Sequence, residues 1–76
     1  MSKALERAIA IMDGLSAMGR AINESPQAIN NWRSRGVPAE KCPDIEYVTA
    51  KAGTRIYCED LRPDVRWAVL RGVAKV

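Results

Sequence analysis

Gln27, Asn30, Asn31, Ser34 and Arg35 recur at i, i+3, i+4, i+7 and i+8, the spacing that sets side chains on one face of a helix. Their chemistry is hydrogen bonding. A carboxamide pairs in bidentate fashion with an adenine edge and a guanidinium with a guanine edge, each good pair contributing about 1–3 kcal/mol of discrimination. The chain offers no sharper chemistry elsewhere. It has no histidine, and Cys42 and Cys58 allow one disulfide at most, which a cytosolic chain keeps reduced. Two scattered thiols fall short of a metal site. With no nucleophile and base, no carboxylate pair and no metal cluster in view, no enzymatic activity, cofactor or small-molecule substrate is expected.

The elements that must carry this face are legible from their punctuation. Ser25-Pro26 is the sharpest start signal: Ser caps a helix and Pro takes its first turn, where a missing N–H costs nothing. That helix is predicted from Pro26 to about Ser34, with Ile29 and Trp32 inward and Gly36 stopping it. Before it, Leu15, Met18, Gly19 and Ile22 mark the inward stripe of a two-turn helix for which Ser16 is the expected N-cap. Asn23-Glu24 ends this helix, Asn being the non-glycine residue that best tolerates a left-handed turn. The first helix carries Leu5, Ala8, Ile9 and Met12 on its apolar side and closes at Asp13-Gly14.

A fourth helix is predicted from about Ala39 to Lys51, with Cys42, Ile45, Val48 and Thr49 buried; Pro43 argues for a start nearer Cys42. After Gly53 the pattern weakens. Thr54 to Tyr57 suits a short strand and Cys58 to Leu61 a single helical turn ahead of Pro63. Val65 to Val73 is too apolar for a solvated tail and either folds back on the core or covers a neighbouring subunit. The expected architecture is therefore all-α, four to five helices, with a DNA-binding domain over 1–64 and a tail over 65–76.

Length and charge fit this frame. Seventy-six residues hold one domain with a small core, and pairing with a second subunit would supplement it. Ile56, Tyr57, Trp67 and Leu70 are the apolar residues expected to pair the subunits. A net charge of +3 favours polyanionic partners. From Ser25 to Val37 the only charges are Arg33 and Arg35, whereas Glu40, Asp44, Glu46, Glu59, Asp60 and Asp64 offset most of the later cations. No apolar run reaches membrane-span length and the first residues do not read as a signal peptide, so the chain is expected in the cytoplasm.

Two helices and a turn suit DNA because the major groove, about 12 Å wide, admits one helix while the preceding helix crosses the backbone. Each part also has a plainer reading. Adjacent Asn residues are ordinarily polar surface, but they are mediocre helix formers where Ala, Glu or Lys would serve stability better. Arg33 and Arg35 suit either phosphate contact or simple solvation, as do Ser16 and Arg20 at the start of the second helix, and Ser34 belongs to the same rim. Trp32 lies on the Ile29 side and reads as core.

The order of GLSAMGRAI, SPQAINNWRSRGVPAEKCPDIE and LRPD, running from Leu5 to Asp64, resembles the Cro-like, YdaS-type helix-turn-helix regulators of phages and prophages. The resemblance implies a lambda-repressor-like fold and a transcriptional repressor that binds a pseudo-palindromic double-stranded operator as a homodimer. It also implies that Ser25, Gln27, Ala28, Asn30 and Asn31 enter the groove. Asn23 stands where the family usually has Gly, and Glu24 where it has an apolar residue, so the expectation is either a slightly different turn or an unfavourable charge near phosphate. From another class, the alternative is a protein-interaction module such as a toxin–antitoxin component.

Overall fold

The computed structural model describes residues 3–70. Among them are six α-helices: α1 (Lys3–Ile11), α2 (Leu15–Ile22), α3 (Pro26–Arg35), α4 (Cys42–Lys51), α5 (Cys58–Leu61) and α6 (Trp67–Leu70). A 3-10 turn, Ala39–Lys41, leads into α4. The fourth helix thus begins at Cys42, with Pro43 in the first turn where it displaces no hydrogen bond.

Helix α1 buries Ala4, Leu5, Ala8 and Ile9. It ends in a Schellman arrangement: the Gly14 N–H donates to Ile9 O at 2.8 Å and the Asp13 N–H to Ala10 O at 3.1 Å. Asp13 takes the left-handed conformation this requires, at φ 67°. Because the chain then turns through Gly14, α2 starts at Leu15 and its N-cap is Gly14. The expected capping by Ser16 is therefore corrected: Ser16 already lies inside the helix, exposed, one position past the start.

One core runs through all six helices. Leu5, Met18, Ile29, Ile45 and Ile56 are fully buried at its centre, with Val37, Cys42, Cys58, Leu61 and Trp67 around them. Burying a side chain of that size stabilises by about 1.5–3 kcal/mol. Of the line assigned to the fourth helix, Cys42, Ile45 and Thr49 are buried and Val48 is half-buried against the core. Leu15 and Met12 also pack from its edge.

The stretch before α5 corrects the expected strand. Thr54 to Tyr57 forms no strand, because this stretch and the start of α5 are hydrogen-bonded back onto α4, beginning with Thr54 N to Thr49 O at 3.1 Å. Ile56 N donates to the Thr49 hydroxyl at 2.9 Å, and Cys58 N to the Glu46 carboxylate at 2.8 Å. Thr49 in turn donates to Ile45 O at 2.8 Å, and Arg55 pairs with Glu46. Glu46 is itself buried, as a carboxylate can be when charge and N–H donors surround it. The helical turn at Cys58 to Leu61 is present as α5.

The core also continues past Asp64, since Trp67 belongs to it. Arg62 fastens this last segment. Its guanidinium donates to both Asp64 carboxylate oxygens, at 2.9 and 2.7 Å, and to Val37 O at 2.9 Å; the Trp67 indole N–H donates back to Arg62 O at 2.7 Å. The LRPD run is thus a clasp between the segment leading into α6 and the loop after α3. Val73 and the rest of the tail from residue 71 lie outside the described residues.

Candidate nucleic-acid interface

Helix α3 is set against α2 through a close backbone approach. A Cβ at Gly19 would collide with the carbonyl oxygen of Glu24, so this crossing accepts glycine alone without a shift of backbone. The turn between the helices is closed by Asn23 in the left-handed conformation, φ 60°, and by a Glu24 N–H to Gly19 O bond of 2.8 Å. Asn therefore does at this position what glycine would do, and the turn is an ordinary helix stop. Glu24 is neutralised by Lys41, whose Nζ lies 2.7 Å from its carboxylate. This hydrogen bond, with the attraction behind it, raises the Lys41 ammonium above its ordinary value.

Ser25 caps α3 as its sequence predicts, its hydroxyl accepting from Ala28 N at 3.1 Å with Pro26 following. Ile29 and Trp32 anchor the inner side. The structure brings Gln27, Asn30, Asn31 and Ser34 together on the opposite side, all exposed, with Arg35 exposed at the rim. Ala28 is half-buried at the flank. The Ser34 hydroxyl donates to Asn31 O at 3.2 Å, folding it onto the helix. Ser16 and Arg20 are exposed on α2 and share a shallow cleft with Asn23, Ser25 and Pro26 beside the start of α3. A second cleft, at the other end of α3, has Lys3, Arg7, Arg33 and Arg35 among its walls.

Arg33 stands apart from the rest. Its guanidinium is held by Glu6 of α1, with Nε to Oε2 at 2.8 Å and Nη2 to Oε1 at 3.2 Å, while Nη1 donates to Asn30 Oδ1 at 2.9 Å. Glu6 is the residue the sequence reading missed; 27 positions separate it from Arg33, and no local pattern links them.

The four residues expected to pair subunits divide in two. Ile56 and Trp67 are 1% and 5% exposed, covered by the chain's own core, so the need for cover that singled them out is met internally. Tyr57 and Leu70 are exposed at 47% and 68%, alongside Tyr47 and Val69. Among the described residues no helix is long and apolar enough to cross a membrane.

Comparison with known proteins extends these observations. A family model described as bacterial toxin YdaS matches residues 5–70. A protein of Escherichia coli strain K12 described as "Putative transcriptional regulator YdaS" is 43% identical over 68 residues, which is 87% of this chain and 66% of that protein. The chain thus spans about two thirds of the length of that relative. Among solved structures, the "Cro protein from putative prophage element Xfaso 1" of Xylella fastidiosa strain Ann-1 superposes with a TM-score of 0.74 at 44% identity, covering 82% of this chain and 92% of the other. With the matched region running from Leu5 in the first helix to Leu70 at the end of the last, this chain belongs to the YdaS family and has a Cro-like helix-turn-helix fold.

Proposed function

We propose that this protein is a sequence-specific DNA-binding transcriptional regulator that acts as a repressor, a homodimer occluding a pseudo-palindromic operator. The observation that carries this is the exposed, acid-free face of α3: Gln27, Asn30, Asn31 and Ser34 on a helix fixed by Gly19 against α2. These side chains suit base edges, and a rigid helix turns their hydrogen bonds into discrimination. Ser25 and Ala28 lie at the start of the same helix and enter the groove with them. Arg35, Ser16 and Arg20 flank it and suit phosphate contacts, which set register and orientation. The match to a Cro protein supports the same assignment.

The dimer part of the reading rests on exposed apolar side chains, Tyr57 and Leu70 with Tyr47 and Val69, on a chain with a small core. Half-sites would then lie one helical turn apart, about 34 Å. Selection from a randomised duplex pool tests the whole reading: recovery of a two-fold symmetric site supports it, and recovery of unrelated sequences refutes it.

The family description as a toxin favours one other reading, a protein-interaction module using the same helix. A salt titration separates them. Binding through several phosphates weakens steeply with salt, by about 0.9 log units per contact per decade, whereas a protein interface shows no such slope.

A further inference from the structure

The geometry points to Glu6 as a positioning residue for base recognition: through Arg33 it orients the Asn30 carboxamide with its NH2 outward, so that this position reads guanine rather than adenine. The inference rests on the reading of α3 as the groove helix. A guanidinium only donates, so the Asn30 atom facing Arg33 Nη1 at 2.9 Å is the carbonyl oxygen. What Asn30 presents beyond the helix is then its pair of N–H donors. Guanine offers two acceptors in the major groove, N7 and O6, whereas adenine offers one acceptor and one donor, and its bidentate pair would have to share the Asn30 oxygen with Arg33, which already takes one of its two lone pairs. Cytosine, presenting an N4 donor, is disfavoured outright.

Glu6 is what keeps Arg33 in this role. Held on Nε and Nη2 by both carboxylate oxygens, the guanidinium is fixed in its plane and aimed at Asn30. The same pairing neutralises Arg33 and keeps it from a neighbouring phosphate. An acidic side chain beside the groove helix thereby trades nonspecific affinity for a defined donor pattern. Both partners are partly exposed, Arg33 at 36% and Glu6 at 45%, so the arrangement serves orientation more than stability.

The test compares wild type, Glu6→Ala, Arg33→Ala and Asn30→Ala in selections from a randomised duplex pool, with thermal melts and salt titrations on a scrambled duplex. Wild type is expected to prefer guanine about tenfold at one position of each half-site, a preference that Asn30→Ala abolishes. Both Glu6→Ala and Arg33→Ala should move that same position toward adenine, leaving the other positions unchanged. They should differ in the salt titration. Freeing Arg33 in Glu6→Ala steepens the slope by about one phosphate contact and raises scrambled-duplex affinity, whereas Arg33→Ala does neither. A merely structural role for Glu6 would lower the melting temperature and all base preferences together. Unchanged preference at the Asn30 position in both variants, an adenine preference in wild type, or that uniform loss would overturn the inference while leaving the groove assignment of α3 intact. A wild-type pool without any enriched site would overturn that assignment itself.

Discussion

The carbonyl oxygen of Glu24 occupies the space in which a side chain on Gly19 would have to sit, and the Glu24 N–H bonds back to Gly19 O at 2.8 Å. The two residues are five apart in sequence, and together they set the angle at which α3 leaves α2. Gly19→Ala pushes a methyl group against backbone, which cannot rotate away as a side chain can. The expected cost is about 1–3 kcal/mol. In a domain of this size each kcal/mol lowers the melting temperature by roughly 4–8 °C, readable by circular dichroism. DNA affinity should fall further than the melt alone explains, since the surviving folded molecules carry a displaced α3.

Ser25 yields a smaller and cleaner effect. Ser25→Ala removes the hydroxyl that accepts from Ala28 N and is expected to cost about 0.5–2 kcal/mol, with Ser25→Asn restoring most of it. Ser25→Asp should restore the melt equally well while weakening DNA binding, because on the proposed reading it places a carboxylate at the start of the groove helix, facing a polyanion. Measuring stability and affinity on the same three variants separates capping from contact.

How much of this was legible in the sequence depends on how far apart the interacting residues lie. The stops at Asp13-Gly14 and Asn23, the start at Ser25-Pro26 and the outward face of α3 are decided within one or two turns, and the sequence shows them directly. Ser16 was misread because Gly14 and Asp13 complete the preceding helix stop and leave no room for a separate cap. The segment from Thr54 to Tyr57 has the composition of a strand, but a strand needs a neighbouring strand. Its partners are Thr49 and Glu46 on a helix. Nor could local spacing show that Glu6 holds Arg33, or that Trp67 is enclosed by its own chain.

Asp64 gives the acid side of the stability curve. The hydrogen bonds from Arg62 hold its carboxyl below the ordinary carboxylate value of 3.8. A carboxyl whose value is lowered on folding adds stability above its unfolded value, and that stability is lost as pH falls through the folded one. Wild type is therefore expected to lose stability between about pH 5 and pH 2 more steeply than Asp64→Asn. The variant should start lower at pH 7 and show a flatter acid limb in chemical denaturation at a series of pH values.

The two cysteines should be inert in the folded chain. Both are buried thiols, and burial pushes the Cys42 thiol up to about 11, with the Arg62 charge opposing only in part. Thiolate is the reactive species, so Ellman's reagent at pH 8 is expected to label neither residue on the timescale on which it labels the denatured chain. Rapid labelling of Cys42 in native buffer would mean that the Arg62 clasp opens readily.

Connecting segments without regular structure ordinarily tolerate gain or loss of a residue, but the one between α4 and α5 is held like a measuring rule. Thr49 meets Ile56 N and Glu46 meets Cys58 N, so two marks on the helix are matched to two marks on the segment. A glycine inserted beside Gly53 lies outside the marks and can bulge into solvent. One inserted after Ile56 shifts Cys58 off Glu46 and leaves a buried carboxylate short of a donor. The spacing from Ile56 to Cys58 is therefore set to the residue by two side chains of the preceding helix, while the length around Gly53 is not.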